Sequence, residues 1–185
     1  MAVRIAFSRN DKMIGSWLIR WGISEGFFSL APVSHFIAIF DEKLVFESNL
    51  ERGVHFTDLL EFRKKNTIAC SFRLKKELSL QEEEAIYQSL LKTVVGKPYD
   101  LSALLYLGWR VFLKKFFNKP LPEDNKFNWN DQFFCVETVC ALNKELVEQV
   151  NIAIFPQLEA DMIDPWLLCQ KMKSNPNLEE ISGGA

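Results

Sequence analysis

The feature that most constrains the fold is a run of three short apolar segments between residues 35 and 56. The segments HFIAIF, KLVFES and GVHF are rich in β-branched and aromatic residues, and each has the length of a strand. Polar turn residues stand at Asp41-Glu42-Lys43 and at Glu51-Arg52-Gly53. Because such short connections join antiparallel neighbours, the sequence predicts a three-stranded meander.

The segments around this meander add strands and helices. Residues 3–8 and TIACSFRL, residues 67–74, have the composition of strands. Apolar residues at helical spacing predict a helix over 11–23, and TDLLEFRK is long enough for one or two helical turns. The order of a strand, a helix and a meander followed by helices is typical of an α+β protein rather than of alternating βαβ units.

The second half of the chain is predicted to be helical. Ser79-Leu80-Gln81-Glu82 has the form of a capping box, and Gly96 is a natural stop for the helix that it begins. Further helices are predicted over about 101–117, from Phe133 or Phe134 to about 147, and over about 165–173. We therefore expect a single domain over residues 1–185, with a core from about 3 to 148 and a frayed C-terminal tail.

Composition excludes several classes of protein. The chain is 48% hydrophobic and 25% charged, which is typical of a globular protein, and its formal net charge of −2 argues against non-specific nucleic-acid binding. The N-terminus lacks the layout of a signal peptide, and no apolar run has the roughly 18 residues needed to cross a bilayer. We expect a cytoplasmic protein without a transmembrane segment, and a phage-encoded protein or one released by lysis would have the same features.

The cysteines and histidines do not suggest a metal site. None of the four cysteines forms a C-x-x-C pair, and the chain has only two histidines. A disulfide framework is not expected in a chain of this size without an export signal. No glycine-rich phosphate loop and no G-x-S-x-G motif is present. The sequence therefore predicts neither a metal nor an organic cofactor.

Cys135 is the candidate nucleophile. It follows a polar loop and stands at the predicted start of a helix, in DQFFCVETV. Exposed amides and the helix dipole at such a position stabilise a thiolate, which is the reactive form of cysteine. The alternative is an inert cysteine in the core, and the local sequence taken alone favours that alternative.

His35 is the candidate base and Glu47 the candidate orienting carboxylate. His35 begins the first strand of the meander, where a strand fixes the direction of its ring. Glu47 lies in the next strand, from which a carboxylate can orient the ring and stabilise its protonated form. Asn49 is a weaker alternative for the orienting role. We interpret His55, the other histidine, as structural or exposed on the surface.

Three residues are candidates for contact with substrate: Tyr99, Ser34 and Trp129. Tyr99 belongs to GKPYD, which joins the end of one predicted helix to the start of the next. The helix over 101–117 ends in interleaved aromatic and basic residues, which fits either a membrane surface or an anionic ligand. We favour the simpler interpretation, a helix with one face in the core and solvated lysines on the other.

Taken in order, these elements resemble the permuted branch of the NlpC-type papain-like superfamily, especially its bacterial and phage YiiX-like proteins. The resemblance covers residues 3–148 and depends on FSRNDKMIGSWLIRWG, SHFIAIF, GKPYD and FFCVETV. In this branch the histidine strand precedes the cysteine helix, as it does here. The resemblance implies a site made of Cys135, His35 and Glu47. Val136 stands where the family often has a small residue, and the segment 101–132 has no counterpart.

The resemblance also implies an activity. We expect a cysteine hydrolase that cleaves an amide bond in a peptide, an isopeptide or a cell-wall peptide through a thioester intermediate. The more distant lecithin:retinol acyltransferase-like proteins make a thiol acyltransferase or a lipid esterase or amidase the alternative. A further alternative is a module that keeps the fold, binds a peptide or a lipid and has no catalytic activity.

Overall fold

A computed structural model of the protein describes residues 3–24, 28–117, 135–155 and 164–181. These residues form six strands and six helices: β1 (Arg4–Arg9), α1 (Ile14–Ile23), β2 (His35–Phe40), β3 (Leu44–Asn49), β4 (Gly53–Asp58), α2 (Leu59–Lys65), β5 (Thr67–Leu74), α3 (Leu80–Thr93), α4 (Leu101–Phe117), α5 (Cys135–Val150), α6 (Pro165–Lys173) and β6 (Leu178–Ile181). The strands make one antiparallel sheet in the order β4-β3-β2-β1-β5-β6. The predicted α+β class is confirmed.

The predicted meander forms the β2-β3-β4 half of this sheet. Asp41 and Glu42 both have positive φ, 51° and 52°, which is the conformation of the tightest hairpin turns. This turn sets the register of β2 against β3, in which Ala38 pairs with Phe46. The following hairpin pairs Glu47 with His55. The meander therefore brings the two histidines and Glu47 to neighbouring positions.

The main core lies between the sheet and helices α3, α5 and α6. On the sheet side it contains the fully buried rings of Phe7, Phe36, Phe46 and Phe72. Helix α5 contributes Val139, Leu142 and Leu146, all of them fully buried. Each such side chain stabilises the fold by about 1.5–3 kcal/mol when it leaves water. These residues hold α5, which begins at Cys135, against β2 and β3.

The predicted helix boundaries are close to those observed. Ser79 and Glu82 make both hydrogen bonds of a capping box at the start of α3. Asp164 accepts a hydrogen bond from the Leu167 amide at the start of α6. Helix α5 begins at Cys135, and residues 133 and 134, where we predicted its start, lie outside the described residues.

The prediction of a frayed C-terminal tail is wrong for residues 178–181. They form β6, an edge strand paired with β5, in which Leu178 is buried and Glu179 lies 2.8 Å from Arg73. Without β6, strand β5 would expose the unpaired amides and carbonyls of a sheet edge. Two adjacent glutamates in a four-residue strand hide the alternation by which a strand is recognised in sequence.

Helix α4 has the predicted bounds, but its apolar residues do not all face the core. It packs beside α1 and exposes Leu105, Trp109 and Phe112 to solvent. Our preferred interpretation of this helix, with its apolar face in the core, is therefore wrong for these residues. No helix within the described ranges combines the length and apolar character needed to cross a membrane.

Candidate active site

The site is built around an ion pair between adjacent strands. The Nε2 atom of His35, at the start of β2, lies 2.9 Å from Oε2 of Glu47 in β3. Both side chains are largely buried, with exposed fractions of 20% and 8%. Because an ionised carboxylate only accepts hydrogen bonds, Nε2 carries the proton in this pair. The contact therefore fixes the orientation of the ring and leaves Nδ1 for another partner.

Cys135, the first residue of α5, is close enough to His35 for its side chain to help raise the pKa of the ring. Thr138 Oγ1 donates a hydrogen bond to the Cys135 carbonyl at 2.6 Å, within the first turn of the helix. The amides of a first helical turn have no partner within the helix and carry partial positive charge. The sulfur therefore lies between a histidine ring and the positive end of a helix.

The protonation of His35 and of Glu47 is shifted by their neighbours. Burial by itself lowers the pKa of His35, but hydrogen bonds with Cys135 and Glu47 and their negative charges outweigh it and raise the pKa to about 10. Burial likewise raises the pKa of Glu47, but its hydrogen bonds with His35 and His55 outweigh it and lower the pKa to about 2. At neutral pH the ring is therefore an imidazolium and Glu47 a carboxylate.

The structure adds His55 to the site, a residue that we interpreted from sequence as structural or exposed. Its Nε2 lies 3.5 Å from Oε1 of Glu47, and its Nδ1 lies 2.9 Å from the Gly53 carbonyl. Glu47 is thus placed between the two histidines. The signal in the sequence was the hairpin at residues 49–53, whose register sets Glu47 opposite His55. Asn49, the weaker alternative to Glu47, instead accepts two amide hydrogen bonds within that turn.

Tyr99 lies at the site because the GKPYD segment, residues 96–100, is hydrogen-bonded to β4. Lys97 accepts a hydrogen bond from the Val54 amide at 2.9 Å, and the Gly96 amide donates to the Val54 carbonyl at 2.8 Å. A side chain at Gly53 would meet the Lys97 carbonyl at 2.2 Å, so only glycine permits this approach. Burial, together with the negative charge of Cys135 and of neighbouring carboxylates, raises the pKa of Tyr99. Its hydroxyl therefore stays protonated at neutral pH.

The other two candidates for substrate contact have different positions. Ser34 is buried, its hydroxyl lies 2.7 Å from that of Ser16, and its amide donates to the Ser8 carbonyl. Ser34 therefore fixes the start of β2 to β1 and α1, which positions His35. Trp129 lies outside the described residues. In the described part of the chain, no group of three or more His, Cys, Asp or Glu side chains is arranged to hold a metal ion.

The roles of these residues are interpreted from their geometry and from the resemblance described above. A scan against family models found none that matches the chain. A search of curated proteins found no match. A search of solved structures likewise found no match.

Proposed function

We propose that this protein is a cysteine hydrolase in which Cys135 is the nucleophile, His35 the acid and base, and Glu47 the group that orients His35. The observation that carries this proposal is the position of the His35 ring. Its Nε2 atom is hydrogen-bonded to a buried carboxylate, and Cys135, at the start of a helix, is close enough to help raise its pKa. A nucleophile, its base and a third group that orients the base form the constellation used in covalent hydrolysis.

In the first step, the Cys135 thiolate attacks the carbonyl carbon of the substrate. The carbonyl π electrons move to oxygen, and the resulting oxyanion is stabilised by amides at the start of α5 and by the neutral Tyr99 hydroxyl. When the oxyanion collapses, the bond to the leaving amine breaks and the His35 imidazolium gives that amine its proton. The products of this step are a free amine, a thioester on Cys135 and a neutral His35.

In the second step, water hydrolyses the thioester. Neutral His35 takes a proton from the water as its oxygen attacks the thioester carbonyl, and the sulfur departs as a thiolate. The enzyme is thereby returned to its starting ion pair, and the product is a carboxylic acid. Glu47 keeps the ring in one tautomer and stabilises its positive charge throughout the cycle.

The proposal of an amide substrate rests on the resemblance to permuted papain-like hydrolases. The histidine strand precedes the cysteine helix in the chain, and α5 packs on the strands that carry His35 and Glu47. This order and packing support a permuted papain-like fold. We therefore propose peptides, isopeptides or cell-wall peptides as substrates.

Access to the sulfur is part of the mechanism. The Cys135 side chain is only 2% exposed, so a substrate carbonyl reaches it only after neighbouring groups are displaced. We therefore expect substrate binding to open the site. A small alkylating reagent that enters through the same opening reacts faster with Cys135 than with Cys70, Cys140 or Cys169 near neutral pH, because only Cys135 has the imidazolium partner. Equal rates at all four thiols would remove the basis for an activated nucleophile.

The decisive experiment is a substrate screen with the wild type, Cys135→Ala and Cys140→Ala. Cys140 is the matched control, because it lies on the same helix but away from the start of α5. The screen covers peptidoglycan fragments, isopeptides and acyl lipids, and mass spectrometry looks for an acyl group on Cys135. We expect Cys135→Ala to lose at least about 10³-fold in kcat/KM and Cys140→Ala to keep it. Equal turnover by the wild type and Cys135→Ala would exclude Cys135 from the mechanism.

A further inference from the structure

Helices α1 and α4 expose large apolar side chains at regular helical spacing. On α4, Leu101, Leu105, Trp109, Phe112 and Phe116 recur every three or four residues, which places them in one stripe. On α1, Ile14, Trp17 and Leu18 have the same spacing, and about half or more of each side chain is exposed. We call the surface formed by these two sets of residues the apolar face. Eight large apolar side chains exposed on two adjacent helices differ from the single, scattered apolar residues that are normal on protein surfaces.

The two helices that carry these stripes pack beside each other. The rings of Trp21 and Phe116 have centroids 6.3 Å apart. Lys115 donates a hydrogen bond to the Ser24 carbonyl at 2.7 Å, and its Nζ lies 5.6 Å from the centre of the Trp21 ring. These contacts join the C-terminal ends of α1 and α4. The two helices that carry the apolar face are therefore held together at these ends.

The charge around the apolar face is opposite in sign to that of the whole chain. Residues 9–24 and 101–117 contain six Lys or Arg and one Asp, a net charge of +5. The formal net charge of the chain is −2, so the remaining residues carry −7. The single acid, Asp11, is paired with Arg9 and Arg20. The segments that carry the apolar face are therefore basic within an otherwise acidic protein.

We propose that the apolar face docks onto the surface of an anionic lipid bilayer, with α1 and α4 lying parallel to the membrane. Exposed Trp17 and Trp109 are suited to the headgroup region, where indole rings concentrate. The net positive charge of the two segments favours anionic headgroups over neutral ones. A second copy of the chain would instead set a charge of +5 against +5, which disfavours a symmetric dimer through this face.

The experiment measures the sedimentation of Cys135→Ala with vesicles, so that binding is separated from any hydrolysis. The vesicles are phosphatidylcholine alone or about seven parts phosphatidylcholine to three parts phosphatidylglycerol. We expect at least about tenfold stronger binding to the anionic vesicles, and weaker binding at high salt. Trp109→Asp and Ile14→Asp, made in the same background, should each bind at least about tenfold more weakly. Leu80→Asp is the matched control, because Leu80 is equally exposed but lies on α3, and it should bind like its parent.

A second measurement does not depend on any variant. Trp17 and Trp109 enter a less polar environment on docking, so the tryptophan emission of the parent protein should shift to shorter wavelength with anionic vesicles only. Absence of binding and of this shift would overturn the proposal, and so would equal weakening by Leu80→Asp. A concentration-dependent dimer that Trp109→Asp disrupts, without vesicle binding, would assign the face to a second copy and overturn it too. None of these results bears on whether Cys135 is a nucleophile.

Discussion

Replacing Glu47 by Gln tests the ion pair on which the proposed chemistry depends. The substitution keeps the shape of the side chain and removes its charge from between His35 and His55. In the folded protein the pKa of Glu47 is lowered from 4.5 to about 2. At 1.36 kcal/mol per pKa unit, the folded state stabilises the ionised carboxylate by about 3 kcal/mol. Glu47 is 8% exposed, so solvent screens little of this stabilisation.

The sign of the effect follows from the direction of the pKa. A carboxyl whose pKa is lowered in the folded state contributes stability above its unfolded pKa and loses it as the pH falls through the folded pKa. We therefore expect Glu47→Gln to lower the free energy of unfolding by about 3 kcal/mol at pH 7, or the Tm by about 6–12 °C. The difference from the wild type should shrink between pH 4.5 and 2. Urea denaturation followed by circular dichroism at several pH values measures it.

Glu83→Gln is the matched control for this experiment. Glu83 is also buried, but burial raises the pKa of its carboxyl, so the folded state disfavours its charge. Removing that charge should cost less than about 1 kcal/mol. The reasoning would be refuted if Glu47→Gln cost no more than Glu83→Gln, or if its cost were the same at pH 3 and pH 7. A stable Glu47→Gln protein with full activity would also remove Glu47 from the mechanism.

Three further predictions concern His35, the GKPYD turn and the C-terminal strand. The raised pKa of His35 contributes stability that is complete below pH 6.5 and is lost as the pH rises through about 10. NMR should therefore show a protonated ring up to about pH 9, and a titration midpoint of the ring near 6.5 would contradict this. Gly53→Ala should lower the free energy of unfolding by about 2 kcal/mol or more and reduce activity, because its Cβ meets the Lys97 carbonyl. Gly96→Ala, with open space around its Cβ, should lower it by about 1 kcal/mol in urea denaturation, and equal losses for the two variants would exclude the close approach. Deleting residues 178–185 should lower the Tm and promote concentration-dependent aggregation through the open edge of β5, and an unchanged Tm would show that β6 adds no stability.

The elements set by local patterns could be predicted from the sequence. Patterns of a few neighbouring residues predict three elements: the meander from its turn residues, α3 from its capping box, and α6 from the proline at its start. His35 and Glu47 lie only 12 residues apart on adjacent strands, so their contact was within reach of the same reasoning. Their catalytic roles stay predictions.

Contacts between residues far apart in the sequence could not be predicted in this way. The contact of His35 with Cys135 joins residues 100 positions apart, and only the resemblance to a known family suggested it. The periodicity of α4 showed an apolar stripe but not whether it faces the core or solvent, because that depends on what packs against it. Strand β6 was missed because its pairing with β5 spans more than 100 residues.

The separation of Cys135 from the strand hairpin sets the order in which the site forms. The contact between His35 and Glu47 belongs to a local hairpin, which the chain completes long before α5 is synthesised. Cys135 is the last of the three to be synthesised, and it approaches His35 only when α5 packs against β2 and β3. In a nascent or partly unfolded chain Cys135 therefore lacks His35 beside it, and any reactivity that depends on this pairing requires α5 to be docked.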